Sequence, residues 1–420
     1  MFTKQRAFAV DSDALTLEYL PGPWLTKIFL ISSIFKSFLC KKSKISIESL
    51  SKFSLLLVNS MLYDLILLMI KKTILSVVAS IIKLFIFIFL LNTNVKADNI
   101  KSYANDKGIV SIMYHRFNES KYPSTNINMD VFIKHIDEIN KAGINFINPE
   151  DFKNNFSKYK NEKKILLTID DAFSSFYKYA WPFLKKNKIP FILFVSTEPV
   201  GRPGYMNWEQ IKEVANGEFA YLGNHSHSHE YLIEYKFKDF KKDIDKSVKI
   251  FKEKIGYNPI FFSYPFGEYS LDQKKYISNK FEFAFGQHSG VIDLNKDKYE
   301  LPRFPINEKY GDLERFKFII NLLPFQYKKV FPEEKMIDNN NPPQMKVEFF
   351  KEQKIENINC FSNEGAGWDN SKIVIKENIL KIIFRDKFNS RRGRVNCSIK
   401  DIEGWRWFGI QFVLKNIKEN

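Results

Sequence analysis

Ile165-Leu166-Leu167-Thr168-Ile169-Asp170-Asp171 is a short apolar run that stops on two adjacent carboxylates. A run of this kind, without polar alternation, reads as a strand buried on both faces, as in parallel sheets. Residues directly after such a strand sit at its carboxyl end, where α/β folds carry their chemistry. A second apolar run ends at Asn224-His225-Ser226-His227-Ser228-His229. One cluster offers carboxylates and the other imidazoles, a donor mixture that suits a borderline divalent cation in an open, catalytic coordination sphere. Together they point to metal-assisted hydrolysis.

Working outward, strand and helix signals alternate. Ile109 to Tyr114, Phe191 to Ser196, Ile260 to Tyr264 and Phe283 to Phe285 read as further strands. Helices are expected over Met129 to Ala142, Phe173 to Asn187, Trp208 to Asn216, Phe237 to Lys254 and Leu271 to Lys280. This alternation predicts parallel strands with helices outside them, in a barrel or a doubly wound sheet. The character changes after about residue 325. Asn339-Asn340-Asn341-Pro342-Pro343 reads as a linker, and Met345 to Phe350, Ile373 to Ile375, Ile379 to Phe384 and Phe408 to Leu414 as strands of a small all-β domain.

The first hundred residues hold three apolar stretches, around Trp24 to Leu39, Phe53 to Ile70 and Ile74 to Leu91. The last is preceded by Lys71-Lys72 and followed by Val95-Lys96-Ala97, which matches the basic, apolar and small-residue regions of a secretory signal. Lys83 inside the run disfavours a well-packed transmembrane helix. Because a signal peptide starts at the N-terminus, Met69 is the expected start of translation. Residues 1–68 are then a doubtful leader, the alternative being a membrane region. Residues 69–97 are expected as signal peptide or membrane anchor, 98–330 as the catalytic domain and 342–420 as the β-rich accessory domain. Export, to the periplasm or cell envelope and with membrane association through the N-terminal segment as one form of it, fits the cysteines. Cys360 and Cys397 are the only pair outside the leader and are expected to form a disulfide, with two free thiols as the alternative. The net charge of +16 comes without a recognition helix, zinc finger or aromatic RNA platform, so it reads as a solvated lysine surface and no nucleic-acid partner is expected.

The histidines carry a geometric requirement. In an extended strand the α-carbons of His225 and His229 would lie about 13 Å apart, too far to share one ion. They can do so only across a turn, and a helical turn would bring them to one face. His225 with His227 is the alternative pair for an extended ligand strand. For the carboxylates, helix capping is the ordinary role of an Asp between strand and helix.

Residues 107 to about 310 resemble the polysaccharide deacetylase family, the NodB-homology domain of carbohydrate esterase family 4, and especially its exported members acting on poly-N-acetylglucosamine. The resemblance rests on Leu167-Thr168-Ile169-Asp170-Asp171 against T-F-D-D, His225 to His229 against H-S/T-x-x-H, Ser263-Tyr264-Pro265-Phe266-Gly267 against P-Y-G, and Met113-Tyr114-His115 against an early M-Y-H. It implies a distorted (β/α) barrel, here with a small C-terminal all-β domain. It implies that Asp171, His225 and His229 bind a divalent metal, Zn2+ first with Co2+, Ni2+ or Fe2+ as alternatives, and that His227 is a bystander. Asp170 becomes the general base that draws a proton from the attacking water, while Phe266 and Tyr264 line the oxyanion and substrate side. The implied substrate is an acetylated polysaccharide.

The sequence departs from the family's pattern at several points. Ala172 replaces glycine, Ser263 stands where many members carry arginine, Phe266 replaces tyrosine, and no late L-x-H supplies the acid for the leaving amine. His288 is the first candidate acid and His115 the second. Arg303 is a candidate to orient Asp170. Trp368, Trp405 and Trp407 offer a sugar-stacking face, with core packing as their ordinary role. The expected activity is hydrolysis of N-acetyl groups on an N-acetylhexosamine polymer. Its rivals are a catalytically inactive carbohydrate-binding protein and a deacylase of a lipid-linked sugar.

Overall fold

The computed structural model describes residues 67, 69–75, 78, 107–156, 161–351, 353 and 355–415. The expectations for residues 1–68 and for the signal or anchor at 69–97 therefore fall almost wholly outside it; the described positions there, from 67 to 78, are helical. Among the described residues no helix is long and apolar enough to cross a membrane.

Residues 97–420 form one compact unit. Its first half runs β1 (Ile109–Tyr114), β2 (Arg116–Phe117), β3 (Asn126–Ile127), β4 (Asn145–Phe146), β5 (Lys164–Ile169), β6 (Phe191–Val195), β7 (Ala220–Asn224), β8 (Phe261–Ser263), β9 (Phe283–Phe285) and β10 (Phe304–Pro305). Seven of these form the path β10-β1-β5-β6-β7-β8-β9, and β4 adds to β5. Every pairing in that sheet is parallel. One segment closes the ring: Leu301 bridges to Phe285 of β9, and three residues on, Phe304 and Pro305 pair with Ile112 and Met113 of β1. The result is a distorted (β/α) barrel, with the carboxyl ends of its strands on one rim.

The strands earn their burial from composition. All six residues of β1 and all five of β6 are buried, which only a strand covered on both faces achieves. Helices cover the outside through apolar stripes, such as Phe132, Ile136 and Ile139 on Met129–Lys141. The helix expected over Phe173 to Asn187 contains a π-helical turn at Phe176–Ala180 before it continues as Trp181–Asn187. The helices Pro149–Asn155 and Leu313–Ile320 are short elements beyond those expected from the sequence.

The C-terminal half continues with β11 (Leu323–Pro324), β12 (Lys329–Phe331), β13 (Met336–Ile337), β14 (Met345–Glu348), β15 (Asn359–Asn363), β16 (Asp369–Asn370), β17 (Lys372–Lys376), β18 (Ile379–Ile383), β19 (Arg392–Lys400) and β20 (Trp405–Leu414). They form a sheet β11-β20-β19-β15-β16, with β13 on β20, and a sheet β12-β14-β18-β17. Met345, Val347, Leu380 and Ile382 from one and Val395, Cys397, Phe408 and Phe412 from the other share a single core. Cys360 and Cys397 are directly cross-strand partners and are disulfide-bonded.

The boundary differs from the expectation of a cut between 330 and 342. β11, β12 and β13 lie before the Asn-Pro stretch yet pair with β20 and β14. The stretch itself is pinned: Asn341 Nδ2 donates to Phe388 O at 2.8 Å, and Asn341 Oδ1 accepts from Phe388 N at 2.7 Å. Its composition resembles a linker, but its side chain substitutes for strand pairing.

Candidate metal and catalytic site

The two carboxylates emerge where β5 stops. Asp170 N still donates to Tyr114 O of β1 at 2.9 Å, and the chain then passes through Asp171 at φ 74° and Ala172 at φ 54°. Left-handed backbone is unfavourable for residues with a Cβ. It turns the adjacent carboxylates to different partners.

Asp170, fully buried, faces Arg303. The guanidinium donates from Nη1 to Oδ1 at 2.7 Å and from Nη2 to Oδ2 at 2.8 Å, a bidentate fork. Arg303 is itself completely buried, and its remaining donors go to Ser263 Oγ at 2.7 Å, Gly286 O at 2.9 Å and Thr168 Oγ1 at 3.3 Å. The small Ser263, where the family often has arginine, leaves room for this guanidinium arriving from the ring-closing segment. Burial alone would raise the Asp170 pKa, but Arg303, followed by His225 and His115, outweighs it and holds the carboxyl below its ordinary value. Arg303 thus orients the carboxylate and keeps it ionised.

Asp171 faces the histidines. Its Oδ1 lies 3.0 Å from His229 Nε2 and 3.5 Å from His225 Nε2, and the two Nε2 atoms are 3.2 Å apart. Three ligands each about 2.0–2.1 Å from one tetrahedral ion would be separated by about 3.3 Å. The three atoms therefore form one face of a coordination polyhedron, and this is the group of metal-competent side chains found among the described residues. His225 is fully buried, and its Nδ1–H donates to Ser263 O at 2.7 Å, which turns the Nε2 lone pair toward the shared point. Burial lowers the His225 pKa to about 4, so the ring is neutral and ready to ligate. Burial also works to lower His229, yet the Asp171 charge and hydrogen bond override it and raise the pKa. The same pairing drives Asp171 down despite its burial.

His225 and His229 do meet across a turn, but not a helical one. Ser226 and His229 take positive φ, at 71° and 56°, and the segment is irregular. Asp243, on the helix Phe237–Ile255, braces it by accepting from His227 N at 2.9 Å and Ser228 N at 3.0 Å. Ser226 Oγ accepts from His229 N at 3.1 Å. His227 turns away, its Nδ1 2.8 Å from Thr197 Oγ1. Asp243 is a positioning residue that the sequence hides, because it sits among lysines on a helix that reads as solvated.

The candidate acids separate. His115, one residue past β1, has Asp171, Asp170, Arg303 and His229 as its charged neighbours, and its buried Nδ1 has no hydrogen-bond partner. Burial outweighs the carboxylates and lowers its pKa. His288, the first candidate, is instead surrounded by Glu300, Lys335, Arg303 and Lys274, and burial takes its pKa to about 4. It lines a cavity with Tyr269, Asp293, Lys335 and Phe408. Its ring folds back over Gly286, where an added Cβ would stand 2.7 Å from Nδ1. The structure therefore sets His115 beside the two carboxylates and His288, the first candidate acid, apart from them.

The expectation for Tyr264 is corrected. Its side chain is buried, tilted against Tyr269 at 4.5 Å, and its hydroxyl donates to Tyr299 O at 3.1 Å. It packs as a core residue. Phe266 stays at the site: its ring lies 4.9 Å from that of His229 and stacks on Tyr231 at 4.4 Å, and its φ of 57° is again left-handed. Of the eight non-glycine residues with positive φ among the described residues, Asp171, Ala172, Ser226, His229 and Phe266 all lie here, the concentration of local strain expected of a functional centre.

Residues 157–285 match the family model described as polysaccharide deacetylase. A putative polysaccharide deacetylase of Bacillus subtilis is 22% identical over 199 residues, covering 47% of this chain and 70% of that protein. The poly-beta-1,6-N-acetyl-D-glucosamine N-deacetylase of Staphylococcus aureus is 26% identical over 161 residues, covering 35% of this chain and 56% of that protein. Among solved structures, the deacetylase PplD of Streptococcus pyogenes in complex with acetate aligns at TM-score 0.45 and 21% identity, over 48% of this chain and 94% of that one. IcaB of Ammonifex degensii aligns at TM-score 0.44 and 24% identity, over 51% and 98%. The barrel half of this chain resembles the polysaccharide deacetylase family, whose model it matches over residues 157–285.

Proposed function

We propose that this protein is a metal-dependent N-deacetylase of an N-acetylhexosamine polysaccharide of the cell envelope, poly-N-acetylglucosamine or a related glycan. The observation that carries the reading is the three-atom ligand face of Asp171, His225 and His229 beside a separate carboxylate, Asp170, that is clamped and ionised. The activity of the staphylococcal relatives supports the choice of polymer.

A divalent cation of the zinc type held by those three residues supplies a Lewis acid for the acetyl carbonyl and for water. Asp170 accepts the proton that water loses as its oxygen bonds to the acetyl carbon. The backbone N–H of Phe266 donates to the oxygen that becomes negative. The proton taken up by Asp170 passes by way of His115 to the nitrogen as the C–N bond breaks, leaving acetic acid and a free amine on the sugar. With His115 beside the carboxylates, the lack of a late L-x-H motif does not argue for an inactive protein. Export into an oxidising compartment is part of the proposal, supported by the Cys360–Cys397 disulfide.

The test is acetate release from N-acetylglucosamine oligomers by metal-stripped and then zinc- or cobalt-reloaded protein, beside Asp170→Asn. Release that needs metal and falls by at least about a hundredfold in the variant is expected. Equal release from the stripped protein, or from the variant, contradicts the reading.

A further inference from the structure

The barrel and the C-terminal sheets enclose a groove of about 210 Å³ that the proposed chemistry does not use. On the barrel side it is lined by Gln287, just past β9, and by Tyr310 and Arg315; on the other side by Trp368, Arg394 and Trp407. Trp368 is 43% exposed, a large aromatic surface left in water. Trp405, grouped with these tryptophans in the sequence, lies against Phe318 and outside the groove.

The lining has two kinds of surface. Indole and phenol rings offer flat apolar faces, and guanidinium and amide groups offer planar donors. A pyranose ring has the matching pair of surfaces, a face of C–H groups and an edge of hydroxyl and acetamido oxygens. The groove is also a fixed structure. Trp407 Nε1 donates to Ser289 Oγ at 3.4 Å, and Ser289 Oγ donates to Asn396 Oδ1 at 2.8 Å, which ties the two halves together at its base.

Direct contacts join it to the metal ligands. Arg394 Nε donates to Gln411 Oε1 at 3.2 Å, and Gln411 Nε2 donates to Phe266 O at 3.0 Å and Gly267 O at 3.2 Å. Phe266 in turn packs on His229. Gly267, at φ 69°, lies so close to Gln287 that an added Cβ would stand 2.5 Å from its backbone nitrogen. Gln287, in the groove lining, thus packs against the Phe266-Gly267 turn whose phenyl ring lies beside His229.

We propose that this groove is a subsite for a sugar ring of the same polysaccharide, holding one residue of the chain while a neighbouring residue is deacetylated. The C-terminal β region then belongs to the substrate cleft. The inference rests on the deacetylase reading for its choice of ligand, and its test separates the two.

The experiment measures kcat/KM of the metal-loaded full-length protein for short and long N-acetylglucosamine oligomers, in wild type, Trp368→Ala and Arg394→Gln. In parallel, Asp170→Asn with and without Trp368→Ala is titrated with the long oligomer and followed by tryptophan fluorescence. The expected result is a long-to-short ratio of kcat/KM that drops about five- to tenfold in each subsite variant, and a similar weakening of binding in the Asp170→Asn background. A ratio that stays at the wild-type value, with unchanged binding, overturns the subsite. No acetate release by wild type from any oligomer overturns the deacetylase reading alone, provided that the fluorescence titration still reports Trp368-dependent glycan binding.

Discussion

His115 and His288 occupy formally similar places, each within three residues of the end of a barrel strand and each half-buried, yet their surroundings are opposite. His115 faces two carboxylates, an arginine and His229, with a ring nitrogen left unpartnered. His288 folds back over Gly286 into a cavity between the barrel and the β region, among Glu300, Lys335 and Lys274. A histidine at a strand end therefore becomes a candidate for chemistry only when the backbone aims it at the rim. Chain position alone does not tell which of the two does.

Arg303 reaches both regions, since its fork holds Asp170 while its Nε donates to Gly286 O beside His288. Arg303→Lys keeps the charge and loses the fork. We expect kcat to fall about 10²-fold while metal stoichiometry stays at one, because the guanidinium bonds Asp170, Ser263, Thr168 and Gly286 O, and its fork is spent on Asp170. Loss of metal in this variant would show that the rim and the ligand face are one mechanical unit.

Asp243 tests the ligand turn. Asp243→Asn keeps one acceptor for His227 N and Ser228 N and removes the other. Metal affinity, read by competition with a chelator, is expected to weaken about 10- to 100-fold with little change in kcat at saturating metal. An unchanged affinity would mean that Ser226 and the strand ends hold the turn without it.

His288 should declare itself through stability. Its folded pKa, about 4, lies below the ordinary value of 6.5, so the unfolded chain binds more protons between those values. Its contribution is present at neutral pH and is lost as pH falls from 6.5 toward 4. His135, buried between Tyr114 and Gly311 O with a pKa also near 4, acts in the same direction. Denaturant unfolding of His288→Gln at pH 7 and pH 4.5 is expected to show a pH dependence smaller by about 1–3 kcal/mol than in wild type. An identical slope would place His288 in a hydrated setting.

The smallest effect concerns Ala172. Glycine at its φ of 54° relieves left-handed strain, but the buried methyl is lost and the unfolded chain gains freedom. Ala172→Gly should change stability by less than about 1 kcal/mol in either direction, measured by urea unfolding.

Much of the barrel was legible because its strands are buried on both faces and its helices are amphipathic, so periodicity and burial agree. Asp170, Asp171, His225 and His229 were legible for a different reason, being dense polar clusters directly after apolar runs. What the sequence hid depends on contacts between distant segments. The two-residue strand Phe304–Pro305 and the arginine before it acquire meaning only when that segment closes the ring against β1. Asp243 looks like one more charge on a lysine-rich helix until the ligand turn packs over it. Tyr264 was drawn into the site by its motif neighbours, although strand alternation sends its ring into the core. The C-terminal boundary was displaced because Asn and Pro signal a chain without regular pairing, and Asn341 supplies that pairing through its side chain.

The most direct test of the account is turnover of the metal-loaded His115→Ala and His288→Ala variants on an N-acetylglucosamine oligomer, with metal content measured on the same samples. The account predicts one metal per chain in both, a loss of about 10²- to 10⁴-fold in kcat for His115→Ala, and a change of no more than about threefold for His288→Ala. The reverse pattern, with His115→Ala active and His288→Ala inactive, would contradict it.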